Sequence, residues 1–81
     1  MIVLCIDDAR LPIGANIIEG KEYEVIEQYT NMLDQVVYII NGVNNEGTTK
    51  LGMNWKGYRA ERFVQIGNKK LFKAKNELLF N

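Results

Sequence analysis

The sequence predicts a small, mainly β domain: five short strands rolled into a barrel, followed by a short C-terminal helix. Three observations carry that prediction. Apolar and polar residues alternate with period two over residues 21–29 and again over 48–55, the mark of half-buried strands. Short runs rich in β-branched and aromatic residues occupy 2–6, 35–40 and 63–66, each bounded by Gly, Asn or charged residues. At 81 residues the chain makes one domain with one thin core.

The elements follow in order. Residues 2–6, IVLCI, form a continuous apolar run, expected to be a strand buried on or nearly on both faces. Residues 7–20 make a long connection punctuated by Pro12 and Gly14. Its apolar members Leu11, Ile13, Ile17 and Ile18 predict that it folds back on the body. In 21–29 the alternation places Tyr23, Val25 and Tyr29 on one face and Glu22, Glu24 and Gln28 on the other. Residues 31–34 turn the chain into the central strand QVVYII. The stretch NGVNNEG, 41–47, reads as a turn and the most mobile loop.

Residues 48–55 predict a further strand with Thr49, Leu51, Met53 and Trp55 on one face, and Gly52 as a bulge or a close backbone approach. Residues 58–62, YRAER, suit a single 3₁₀ turn before the closing strand FVQI. After Gly67 two readings compete. Gly67-Asn68 is a two-residue hairpin signal that would make 69–75 a strand. A 3.6-residue period instead gathers Leu71, Phe72, Ala74, Leu78 and Leu79 on one arc, opposite Lys69, Lys70, Lys73, Asn76 and Glu77. The helix is the preferred reading, with 67–81 an extension packed on a barrel of 1–66.

Composition excludes several function classes. There is no histidine, no serine and a single cysteine, Cys5, so zinc sites and His-dependent nucleophiles lack their parts. No internal disulfide can form, and Cys5 sits in an apolar run as a buried thiol. The N-terminal MIVLCIDD lacks a basic region before its apolar run, and no stretch approaches the length of a membrane span; the expectation is a cytoplasmic, soluble protein. No phosphate-cradling glycine loop is present. Asp7-Asp8 could meet a hard cation but reads first as a loop cap. The chain is therefore expected to be no enzyme and to need no cofactor.

The net charge of zero hides a split. Through Gly47 eight carboxylates face two cationic residues; after it eight cationic residues face two carboxylates. Such asymmetry marks either a basic face or a self-complementary pair of surfaces.

Local text adds a resemblance. Gly20-Lys21-Glu22-Tyr23-Glu24-Val25 looks like the G-K-x-Y-x-V strand opening of small SH3-like barrel proteins common in bacteriophages and prophages. Tyr58 to Val64, YRAERFV, is similar to the tyrosine-to-Arg-Phe closing segment of the same group. The resemblance covers about residues 1–66 and implies a five-stranded SH3-like barrel, with Tyr23 and Val25 inward and Phe63 as a core plug. Many such proteins have no assigned function, so it implies no chemistry.

Two binding readings compete for the C-terminal half. Trp55 and Tyr58 flanked by Arg59 and Arg62 have the composition of a protein-interface hot spot, with Lys69, Lys70 and Lys73 extending it electrostatically. The expected function is a non-catalytic protein-interaction module, in one form a phage- or prophage-encoded inhibitor or adaptor acting on a host or defence protein, and self-association belongs to the same reading. The alternative is a nucleic-acid-binding barrel, in which the same basic groups neutralise phosphates while the aromatics stack on bases. Against it stands a sequence pI near 6.2.

Overall fold

A computed structural model describes residues 1–67. It contains seven strands: β1 (Ile2–Cys5), β2 (Glu22–Thr30), β3 (Val36–Ile40), β4 (Glu46–Thr48), β5 (Asn54–Lys56), β6 (Tyr58–Arg59) and β7 (Phe63–Gly67). Five of them form one antiparallel sheet in the order β6-β3-β2-β1-β7, while β4 and β5 pair as a separate hairpin. The domain is mainly β, as the alternation predicts. The predicted helix and the expected packing of 67–81 on the body fall, beyond Gly67, outside the described residues, as do Lys69, Lys70 and Lys73.

Among the described residues, the ring of strands expected from sequence is not closed. Within residues 1–67 the hydrogen-bonded ladder ends at β6 and at β7, which are joined through a one-turn 3₁₀ helix, Ala60–Arg62. That turn directs the Phe63 N–H back to the Ala60 carbonyl, so β6 and β7 are linked by the turn and not by a ladder.

The core follows from pleat geometry. β1 turns Val3 and Cys5 inward, opposite Tyr23 of β2 and Phe63 of β7 respectively. Ile40, Tyr58 and Ile17 complete a cluster with them, and Val25, Tyr38 and Trp55 pack around it. Each fully buried aliphatic or aromatic side chain contributes roughly 1.5–3 kcal/mol. Tyr23 meets Phe63 edge-on, with ring centroids 6.4 Å apart, and Tyr38 lies tilted against the same ring.

Two predicted faces are corrected. Tyr29 does not share a face with Tyr23 and Val25. A register shift between Val25 and Glu27 inserts one residue into β2, so Val25 lies opposite core residue Ile40 but Tyr29 lies opposite Val37. Val37 is buried outside the central cluster, beneath Gly57, so β3 is covered on both faces. The second correction concerns 48–55, which is no continuous strand. Thr49 and Met53 close a tip: the Thr49 N–H donates to the Met53 carbonyl, and the Met53 N–H donates to the Thr49 hydroxyl. Gly52, at φ 79°, is the turn residue rather than a bulge. Leu51 is consequently 88% exposed instead of inward.

The hairpin tip thus lies at 49–53, and 41–45 is a held connection. Asn45 receives the Ile40 N–H on its Oδ1 and donates through Nδ2 to the carbonyls of Ile40 and Val43.

Candidate functional site

The long first loop positions most of what the sequence singled out. It returns to the body at residues 16–18. There the Asn16 N–H donates to the Tyr58 hydroxyl (3.0 Å), the Ile18 N–H donates to the Tyr23 hydroxyl (2.9 Å), and Ile17 between them inserts into the core at 3% exposure. The Tyr58 hydroxyl in turn donates to the Asn44 carbonyl at 2.5 Å. One phenol therefore ties the first loop to the 41–45 connection, across 42 residues of sequence on one side and 14 on the other.

This geometry redistributes the predicted site. Tyr58 is 2% exposed and cannot form half of an exposed aromatic pair. Trp55 is half-buried. Its indole meets Tyr58 edge-on with centroids 5.8 Å apart and lies across Gly47, where a Cβ would come within 2.6 Å of Nε1. Gly47 is thus required by close approach. The Trp55 Nε1–H is buried and has no acceptor among the described residues.

Arg62 is also committed internally. Its guanidinium donates to the carbonyls of Asp7 (3.2 Å) and Ala9 (2.8 Å) and lies 3.6 Å from the Asp7 carboxylate. Asp7 and Asp8 serve as loop caps: Asp7 receives the Ala9 N–H and Asp8 receives the Glu19 N–H. Arg59 remains on the surface, paired with Glu61 at 3.3 Å. Of the four described candidates, Arg59 alone is a surface group.

Burial raises the Cys5 thiol above its ordinary pKa, with Asp8 adding to the effect. It likewise raises the Tyr58 phenol, offset in part by the Asn16 N–H that its oxygen accepts. Both groups are held neutral in the fold, while the unfolded chain releases these protons at lower pH. Their contribution to stability is therefore complete below the ordinary thiol pKa and is lost as pH rises through the folded values. The urea midpoint is expected to hold near neutrality and decline above about pH 9, less steeply in Tyr58→Phe. Identical alkaline slopes for wild type and Tyr58→Phe would contradict the burial of this phenol.

A different surface is built at the β2–β3 turn. Asn31 organises it. Its Oδ1 accepts the N–H groups of Leu33 (2.9 Å) and Gln35 (3.0 Å), its Nδ2 donates to the Gln35 side chain, and its own N–H donates to the Gln35 carbonyl. Asp34 takes the left-handed conformation at φ 64° and donates its N–H to the Asn31 carbonyl. With its backbone held this way, the turn carries Met32 fully exposed and Leu33 77% exposed. Beside it, Gln35, Val36, Arg59, Ala60 and Glu61 line a shallow recess of about 180 Å³. The register places Val37 opposite Arg59, which brings the turn and the Arg59–Glu61 pair to the same end of the sheet.

Sequence reasoning passed over Met32 and Leu33. The signal was available: two large apolar residues in the middle of a turn whose flanks, Asn31 and Asp34, are turn-formers.

Comparison with protein-family models, curated proteins and solved structures finds no match to this chain.

Proposed function

We propose that the protein is a non-catalytic protein-interaction module whose contact surface is the β2–β3 turn with the neighbouring recess. The observation that carries this is the display of Met32 and Leu33, exposed on a turn that Asn31 fixes from within. Exposed large apolar side chains on a fixed backbone bind at low ordering cost. The Arg59–Glu61 pair beside them supplies the polar rim that such patches carry. The finer fold reading, a small SH3-like barrel, is supported by the strand order, the long first loop and the 3₁₀ link before the last strand. The phage- or prophage-encoded inhibitor or adaptor is one concrete form of this function.

The nucleic-acid alternative has less to stand on. The described cationic side chains of the C-terminal half are dispersed: Lys50 at the hairpin tip, Lys56 near the Tyr29 ring, Arg59 on Glu61, and Arg62 turned into the first loop.

The test is the double variant Met32→Asp/Leu33→Asp. Stability is expected to stay within about 0.5 kcal/mol of wild type, because neither side chain is packed. Capture of the protein partner recovered by wild type, or self-association in sedimentation, is expected to weaken at least tenfold, roughly the loss of one hot spot. Undiminished binding by this variant removes the proposal. So does a wild-type chain that stays monomeric and recovers no protein.

A further inference from the structure

The outer face of the sheet, opposite the core, carries an apolar stripe along β1 and β7. Leu4 lies opposite Val64 on one side and Glu22 on the other; Ile2 lies opposite Gly67 and Glu24. Ile6 continues the alternation of Ile2 and Leu4 and extends the stripe, and Ile6 and Val64 are both exposed. Gly57 covers this face at β3, but among the described residues nothing covers the stripe at β1 and β7, and Glu22 and Glu24 at its border form no ion pair.

We infer that this face is the docking surface for the chain's own residues 69–80, with the lysines of that segment set against Glu22 and Glu24. Three features support that occupant. The first is position: Gly67, the last described residue, is itself paired with Ile2 on this face, so the following segment starts at its edge.

The second is charge. Residues 1–67 hold six Lys and Arg against nine Asp and Glu, a net of −3; residues 68–81 hold four lysines against Glu77, a net of +3. The two portions neutralise each other, and opposite charges of this kind set orientation as well as attraction. The third is fit. Leu71, Phe72, Leu78 and Leu79 give the segment an apolar arc that needs an apolar partner surface. Twelve residues at 1.5 Å each reach about 18 Å as a helix. Three strands spaced about 4.8 Å apart and four to five residues long present a face of roughly 10 by 15 Å, which that length spans.

The experiment places a nitroxide on the full chain at Asn76→Cys, on the polar arc. Cys5 is buried, so labelling is confined to the new thiol. The expected result is loss of amide signal intensity at Leu4, Ile6, Glu22 and Val64, with Leu33 and Leu51 unaffected, and partial recovery of the signals in Glu22→Lys/Glu24→Lys. Uniform intensities, or loss centred on the β2–β3 turn, would overturn the inference. A mixture of isotope-labelled chain without the nitroxide and spin-labelled chain without isotopes separates the sources. Intensity loss at the same residues in that mixture would assign the face to a second copy and overturn it as well. No loss in the mixture is the result expected.

Discussion

Gly57→Ala is expected to destabilise the protein by about 3 kcal/mol, the sum of two effects. Gly57 has φ 73°, where an L side chain costs about 1 kcal/mol. The added methyl would stand 2.4 Å from Val37 Cγ1 and 2.9 Å from the Tyr38 carbonyl oxygen. The latter is backbone of the doubly covered strand and cannot swing aside, so overpacking adds roughly 2 kcal/mol. For a domain of this size that total lowers the thermal midpoint by about 15 °C. Gly52→Ala is the control: it also has positive φ, at 79°, but nothing within 4 Å of the new methyl, so only the backbone cost of about 1 kcal/mol remains. Equal losses in the two variants would show that β3 is not covered at Val37 as described.

The second large effect is expected from Tyr58→Phe. The ring stays and the hydroxyl goes, leaving the Asn16 N–H and the Asn44 carbonyl without their shared partner. Two part-buried hydrogen bonds lost in this way cost about 2 kcal/mol together. The effect should also be local. Amide exchange at Asn16 is expected to accelerate strongly, while Ile18, held by the Tyr23 hydroxyl, changes less. A loss below about 0.5 kcal/mol with unchanged exchange at Asn16 would contradict the role of Tyr58 as the tie between the two loops.

These two residues also show what a sequence can and cannot disclose. The existence of β1, β2, β3 and β7 was legible, as was a 3₁₀ turn within 58–62, because period-two alternation, β-branched runs and Gly or Asn breaks are local signals, but the pairing of Tyr58 and Arg59 as β6 was not. The orientation of Tyr29 was not. One inserted residue after Val25 reverses the face of everything beyond it, and no alternation count contains the insertion. Residues 48–55 alternate as a strand does, yet the Thr49 hydroxyl and Gly52 close a turn in their midst.

The site was less legible still. Trp55, Tyr58, Arg59 and Arg62 have the composition of a hot spot, but composition does not say which hydroxyl or guanidinium the rest of the chain will claim. Tyr58 is claimed by residues 42 and 14 positions away, and Arg62 by carbonyls more than 50 positions away. Met32 and Leu33 carried the opposite message. Large apolar residues inside a turn motif have no local reason to be there, and that mismatch was the readable sign of a surface.

Photocrosslinking tests most directly which surface this protein uses. A photoreactive phenylalanine analogue is placed at position 33 in one chain and at position 55 in another, and each is irradiated in the native cell. A protein adduct through position 33 and none through position 55 is the predicted result. An adduct formed through position 55 with position 33 silent would place the contact on the Trp55 side and contradict the assignment of the β2–β3 turn.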